Sequence, residues 1–327
     1  MAKLITIYGG SGFVGRYIAR RMAAAGWRVR VAVRRPNEAI FVRPYGAPGQ
    51  VEPVLCNIRD DASVRAAMLG ADAVVNCVGI LNTAGRNRFD AVHVDGAARV
   101  ARIAADLGVA RLVHISALGA DADSDSTYSR TKAEGEAAVL AARPDAVILR
   151  PSVIFGIEDK FFNRFGAMAA RSPVLPLAGA GTRFQPVYVD DVAQAAVAGA
   201  TGAAAPGVYE LGGPEVATLR DLMRQMLAVI QRRRAILPLP SFLAWIPAFG
   251  LDMVQGITMG LITNTVLTRD QLRNLGRDNV VAPDARGLAD LGITPTPLGA
   301  VLPEYLWPYR PAGQFKAIMD SARNLRS

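Results

Sequence analysis

Short, nearly uninterrupted apolar runs recur along the first half of the chain, at residues 3–8, 29–33, 51–55, 73–78, 111–116 and 146–149. Longer stretches at 16–25, 62–69 and 91–107 lie between them, with apolar residues returning every three or four positions. Runs this short and this apolar predict strands buried on both faces, and the intervening period predicts helices. The alternation predicts an α/β fold built on a doubly wound parallel sheet of the Rossmann type.

The regularity ends after Pro151. Phe155-Gly156 leads into an aromatic patch of Phe161, Phe162 and Phe165, then a stretch rich in proline and glycine at 172–181. Tyr188-Val189-Asp190-Asp191-Val192 opens an alanine-rich helix through Ala200. These features predict a core at 1–155 with a return segment at about 182–212, and a smaller, mostly helical region made of 156–181 and 213–327. Within that region, 241–267 holds Trp245, Phe249, Met253 and Ile257 but a single charge, Asp252. It is long enough to span a bilayer. Pro247, Gly250, Gln255 and Gly256 nonetheless crowd its middle, where their polar and backbone groups would find no water. A buried or surface-docked pair of short helices is the favoured reading, with an interfacial contact to a membrane or partner, or a true span, as alternatives.

The first strand runs straight into Gly9-Gly10-Ser11-Gly12-Phe13-Val14-Gly15 and then into a helix. Strand, glycine turn and helix bring backbone N–H groups and the positive end of the helix dipole to a pyrophosphate. A tight βα turn would explain the glycines by themselves, but not this flanking pattern. Gly9, Ser11, Gly12, Phe13 and Gly15 are therefore assigned to a dinucleotide. The spacing of Gly9, Gly12 and Gly15 resembles that of the short-chain dehydrogenase/reductases.

The residue after the second strand selects between NAD and NADP, because a carboxylate there binds the ribose whereas arginine pairs with the extra phosphate. Here the strand ends in Arg34-Arg35. A guanidinium binds phosphate bidentately, so NADPH is the expected cofactor, with Arg34 as leading contact and Arg35 or Arg43 in support. Asn57 and Asp60 follow the third strand, where the adenine edge would lie. Val78 and Gly79 follow the fourth, where the backbone must pass close to the cofactor, and Pro151 closes the sixth.

Tyr128 and Lys132 form a Y-x-x-x-K pair one helical turn apart, on one face. A lysine cation beside a phenol lowers its pKa and makes it a usable acid or base near neutral pH. Ser116, at the end of the fifth strand, is placed to hydrogen-bond a substrate carbonyl. These three are the catalytic set if the chain is active; otherwise Tyr128 and Lys132 hold ribose hydroxyls. His93 and His114 have no cysteine or carboxylate cluster at metal spacing, so packing or a polar strand end is expected of them and no metal site.

Charge and cysteine content narrow the setting. Lys and Arg number 37 against 28 Asp and Glu, a net +9 carried almost wholly by arginine. Such a balance favours anionic partners. No helix-turn-helix, zinc or RNA-binding signature accompanies the scattered arginines, so no nucleic-acid partner is expected. Cys56 and Cys77 sit in apolar strand-like runs, which fits a reducing compartment and unreactive thiols. A strand beginning at Lys3 leaves no room for a signal peptide.

Four segments resemble one family in particular, the NADPH-binding accessory subunit of respiratory complex I (NADH:ubiquinone oxidoreductase) and its bacterial relatives, atypical members of the short-chain dehydrogenase/reductases. They are Arg43-Pro44-Tyr45-Gly46, Tyr128-Ser129-Arg130-Thr131-Lys132-Ala133-Glu134-Gly135-Glu136, the run Arg150-Pro151-Ser152 through Phe155-Gly156-Ile157-Glu158-Asp159-Lys160-Phe161-Phe162-Asn163, and Gln185-Pro186-Val187-Tyr188-Val189-Asp190-Asp191-Val192. The likeness covers roughly the first two hundred residues. The loop after Phe155 discriminates best, because most sugar-nucleotide epimerases diverge there. The resemblance implies a subunit that holds NADPH structurally, without turnover, and docks on the peripheral arm near the quinone site and the membrane, with a phospholipid headgroup contact. It also implies a bacterial member, peripheral on the cytoplasmic side of the inner membrane. A free-standing NADP-dependent reductase or sugar-nucleotide epimerase/dehydratase using Tyr128 and Lys132 is the alternative.

Overall fold

The computed structural model describes residues 2–83, 85, 87–239, 270, 273, 275–313 and 315. Seven parallel strands make the central sheet: β1 (Leu4–Tyr8), β2 (Arg28–Val33), β3 (Val51–Leu55), β4 (Ala73–Asn76), β5 (Arg111–Ile115), β6 (Val147–Pro151) and a last strand, Gly207–Leu211. Their order across the sheet is last-β6-β5-β4-β1-β2-β3. The doubly wound parallel sheet expected from the apolar runs is thus the observed fold.

The two faces of each strand explain why the runs are apolar throughout. Ile5 and Ile7 of β1 point to one layer with Val29, Val31 and Val75, where they meet Ile18 and Met22 of α1 (Phe13–Ala24) and Val192 and Ala196 of α6 (Val189–Thr201). Tyr8, Ala32, Val74 and Ile148 point to the other layer. There they meet α2 (Asp61–Met68), α3 (Asp95–Asp106) and α4 (Thr127–Ala142) through Val64, Met68, Ile103 and Val139. Each fully buried side chain of this size contributes about 1.5–3 kcal/mol of burial free energy.

A third cluster lies outside the sheet. Phe155, Phe162, Leu175, Leu222, Met226, Leu302 and Tyr305 bury one another among α5 (Phe162–Arg171), α7 (Leu219–Val229) and α8 (Leu298–Tyr305). A parallel pair of strands, Val174–Ala178 with Ala235–Leu239, runs along it. Segment 241–267 lies outside the described residues. No helix among the described residues is long and apolar enough to cross a membrane.

Candidate functional site

The strand order reverses between β1 and β4, and a ligand crevice opens at the carboxyl ends of strands at such a point. The glycine turn occupies this place. Gly9 adopts φ +72° and packs against the exit of β4, where a Cβ would lie 3.2 Å from the Val78 side chain and 3.3 Å from the Cys77 backbone. A Cβ on Gly15 would come within 2.6 Å of Gly10 Cα and Gly9 O, so this position needs glycine for the turn itself. Gly12 differs: its Cβ would meet only Gly9 O, at 3.1 Å, and the space beside it is free for a ligand. Gly12 caps α1 without a side-chain hydrogen bond, and no acidic residue stands in the first turn. The unsatisfied N–H groups there fit a pyrophosphate.

Arg34 is exposed at the end of β2 and makes no hydrogen bond or ion pair among the described residues. Arg35 pairs with Glu38 at 3.0 Å and Arg43 with Glu52 at 3.1 Å. Arg34 is thus the one arginine of the three whose guanidinium is uncommitted. Asn57 turns its own loop, accepting from Arg59 N at 3.2 Å, and Asp60 caps α2 by accepting from Ala62 N and Ser63 N. Both side chains therefore shape the loop that follows β3.

Beyond β4 and β5 a compact polar cluster sits beside the crevice. Lys132 is 5% exposed and its amine donates to Ile115 O at 3.2 Å. A side chain on Gly79 would lie 3.4 Å from that amine and 3.8 Å from His93 Nε2, which brings Gly79, Lys132 and His93 together. Burial pulls the Lys132 amine down to about 8, against the opposing pull of Glu136 and Cys77. Ser116 Oγ is buried and has no hydrogen-bond partner among the described residues. An orphaned hydroxyl costs about 1–3 kcal/mol, and a ribose or carbonyl oxygen arriving from the crevice would satisfy it.

Sequence reasoning set His93 aside as packing, yet it lines this cluster. A single π-helical turn, Asp90–Val94, carries it in front of α4, and such turns often mark functional positions. Its ring stacks on Phe89 at 5.4 Å and meets the Tyr128 ring edge-on at 5.5 Å. Nε2 accepts from Ile80 N at 3.0 Å, so Nδ1 carries the proton and donates to Thr131 Oγ1 at 3.1 Å. Burial, then Lys132, pushes its pKa down to about 3 and keeps the ring neutral.

Tyr128 behaves differently from the expectation drawn from its Y-x-x-x-K partner. Burial and the Asp270 carboxylate push the phenol up to about 12 instead of lowering it. Lys132 spends its amine on the Ile115 carbonyl, and Asp270 accepts from Ser126 Oγ, Thr127 N and Tyr128 N at the head of α4. The two cysteines are unpaired, and burial raises Cys56 to about 11 and Cys77 to about 12, as unreactive thiols require.

The loop after Phe155 ties this site to the third hydrophobic cluster. Glu158 reaches back to α1, accepting from Arg16 at 3.0 Å and Tyr17 Oη at 3.1 Å, while Arg16 also donates to the Ser11 carbonyl. Asp159 accepts from Phe161 N, Asn163 N and the Tyr305 hydroxyl, and Asn163 accepts from Tyr309 Oη at 3.0 Å. Pro151 ends β6, its carbonyl accepting from Leu118 N at 2.9 Å. One step earlier, Arg150 forms a bidentate pair with Glu136 of α4.

A family model for NAD dependent epimerases and dehydratases matches residues 5–212. The chain belongs to the NAD dependent epimerase/dehydratase family. It is 34% identical over 314 residues to NADH dehydrogenase (ubiquinone) 1 alpha subcomplex subunit 9, mitochondrial, of Arabidopsis thaliana, covering 94% of this chain and 78% of that protein. The resemblance read from the four motifs therefore extends over nearly the whole chain. Ceramide reductase of Caulobacter vibrioides is 36% identical over 195 residues, 60% of either chain. Among solved structures, the dTDP-glucose 4,6-dehydratase of Bacillus anthracis in complex with NAD superposes with a TM-score of 0.70 at 15% identity, covering 93% of this chain and 96% of that one. That likeness concerns the fold.

Proposed function

We propose that the chain is an accessory subunit of respiratory complex I that holds NADPH as a structural ligand, without turnover. In this reading it binds the peripheral arm near the quinone site, on the cytoplasmic side of a bacterial inner membrane. The observation that carries it is the 34% identity to a complex I subunit over 94% of this chain.

The residues fit the nucleotide in a definite order. Gly9, Ser11, Gly12, Phe13 and Gly15 would cradle the pyrophosphate at the uncapped start of α1, and Arg34 would pair with the 2′-phosphate. Asn57 and Asp60 would border the adenine, Val78, Gly79 and Pro151 the nicotinamide side. Tyr128 and Lys132 would hold ribose hydroxyls. A phenol raised to about 12 is poorly matched to proton transfer near neutral pH, which supports a holding role. The reading is tested by purifying the protein gently from its native membranes and identifying both its companions and its extracted nucleotide. NADPH with complex I subunits is expected; a chain that runs alone contradicts it.

A free-standing NADP-dependent reductase or sugar-nucleotide epimerase/dehydratase is the second reading, favoured by the likeness to a ceramide reductase and by the unsatisfied Ser116 hydroxyl. Bound NADPH would supply a hydride to a carbonyl. Ser116 would hold the carbonyl oxygen, Tyr128 would protonate it, and Lys132, already drawn down to about 8, would face the ribose. Tyr128-dependent carbonyl reduction by the isolated chain would establish it.

A further inference from the structure

A short segment of the chain lies along the loop that separates Ser116 from Tyr128. Ser116 follows β5, Tyr128 stands in the first turn of α4, and residues 117–127 join them. Side chains between 270 and 279 meet this loop in reverse order. Asp270 accepts from Ser126, Thr127 and Tyr128, Arg273 donates to Asp125 O at 3.1 Å, Arg277 pairs with Asp121 at 2.9 Å, and Asn279 donates to Leu118 O at 3.2 Å. Rising numbers meeting falling numbers fix an antiparallel course, from the head of α4 to the exits of β5 and β6. There Ser152, next after β6, donates to Asn279 Oδ1 at 2.6 Å.

The other edge of this segment is fastened to residues 179–185, beside the third hydrophobic cluster. Asn279 N donates to Arg183 O at 2.8 Å, Asn279 O accepts from Gln185 N at 3.1 Å, Asp278 pairs with Arg183 at 2.8 Å, and Leu275 O accepts from the Thr182 hydroxyl. Gly179 lets it pass, since a Cβ there would lie 2.7 Å from Leu275 O. The carboxyl ends of the strands are where a second reactant would enter beside the nucleotide, yet Ser116, Ser124, Ser126 and Ser152 are each 5% exposed or less. Ser126 and Ser152 spend their hydroxyls on Asp270 and Asn279. Among the buried side chains of the described residues, only the Ser116 hydroxyl, at the nucleotide end, is left without a partner.

We propose that residues 275–281 form a strap that closes the substrate side of the crevice and shields the nicotinamide of a bound NADPH from hydride acceptors in solution. The strap rests on the reading that the crevice holds this nucleotide. It keeps the nucleotide from turning over by geometry, whatever the proton affinity of Tyr128. Its ties are few and polar, so it opens locally without unfolding the sheet beneath it. The exposed Arg277–Asp121 pair and the hydrogen bonds of Asn279 set how often it does so.

The test mixes the full-length protein, in excess over NADPH, with phenazine methosulfate, which takes hydride from free NADPH, and times the loss of NADPH absorbance. Nucleotide release is timed separately by displacement with NADP. Bound NADPH in the wild type is expected to react far more slowly than free NADPH. In Arg277→Ala/Asn279→Ala it should react about tenfold faster with release unchanged, the effect of one ion pair and one hydrogen bond lost from the closed form. Arg277→Asp/Asp121→Arg should restore the protection of the single Arg277→Asp. Arg65→Ala, which breaks a comparably exposed pair with Asp106, should leave protection intact. If the double variant melts, Arg277→Ala alone carries the test, since it removes only an exposed pair. NADPH that binds the wild type but reacts as fast as free NADPH would overturn the strap and leave the nucleotide reading standing, whereas a chain that binds no NADPH would overturn both. A rise shared by Arg65→Ala, or matched by an equal rise in release, would overturn the strap in favour of general loosening.

Discussion

Asp270 seals the amino end of the helix that carries Tyr128. Its carboxylate accepts from the Ser126 hydroxyl at 2.9 Å, from Thr127 N at 2.8 Å and from Tyr128 N at 3.1 Å. One side chain thereby supplies a second cap to a helix that Ser126 already caps, and it sets a negative charge beside a phenol that burial has already made hard to ionise. Asp270→Asn should cost about 0.5–2 kcal/mol of stability, the range of a lost helix cap. It should also lower the Tyr128 pKa toward its ordinary value, read by ultraviolet titration of the wild type against the variant, with a Tyr128→Phe background to isolate the signal. An unmoved phenol titration would mean that burial alone sets it.

The uncommitted guanidinium of Arg34 predicts the cofactor preference. Arg34→Ala should cost about 1–3 kcal/mol of the preference for NADPH over NADH, the worth of a charge-assisted hydrogen bond. Arg35→Ala should cost less, because Arg35 already pairs with Glu38. Competitive titration with both nucleotides reads the difference. Equal affinities in the unaltered protein would end the NADPH assignment.

Gly12 and Gly15 should fail in different ways. A Cβ at Gly15 strikes the backbone of Gly9 and Gly10 at 2.6 Å, so Gly15→Ala should lower the melting temperature with or without nucleotide. Gly12→Val meets little within the protein but fills the space above the start of α1. It should melt nearly as the wild type does alone, yet lose the rise in melting temperature that a tightly bound ligand confers by mass action. An undiminished NADPH-induced shift in Gly12→Val would place the pyrophosphate elsewhere.

Two neutral buried histidines predict acid sensitivity. His93 and His114 are each pushed down to about 3, first by burial and then by Lys132, from 6.5. Between those values the unfolded chain binds protons that the folded chain does not, so stability falls as pH drops below 6.5 by about 1.4 kcal/mol per pH unit for each histidine. Denaturant unfolding at neutral and mildly acid pH should show this slope, and His114→Gln should remove about half of it. A slope unchanged by the substitution would assign the acid response to carboxylates.

Much of this architecture was legible because its signals are local. Strands buried on both faces write themselves as unbroken apolar runs, and β1 to β6 fall where those runs stand. The glycine turn was legible for the same reason. What escaped was built by distant pairings: Asp270 meets Tyr128 across 142 positions, and Tyr305 meets Asp159 across 146. The strands Val174–Ala178 and Ala235–Leu239 pair in parallel with no hairpin turn between them to announce it. His93 was missed because a π-helical turn, which leaves no periodic mark in sequence, rotates it toward Tyr128. The loop after Phe155 was noticed as a family motif, but its physical role, joining α1 to Tyr305 and Tyr309, appears only in three dimensions.

The central claim, a structurally held nucleotide in a complex I subunit, is tested most directly by one experiment in the native membrane. Strains carrying the wild type, Tyr128→Phe and Gly12→Val are compared by blue-native electrophoresis, with NADH:quinone activity measured on the same membranes. A phenol hydroxyl lost from a ribose contact costs about 0.5–1.5 kcal/mol of binding, whereas its loss from proton transfer abolishes turnover. The account predicts that Tyr128→Phe co-migrates with complex I and leaves NADH:quinone activity nearly intact, while Gly12→Val depletes the assembled complex. A wild-type chain that migrates alone, and whose Tyr128→Phe form loses an NADPH-dependent carbonyl reduction, would contradict it.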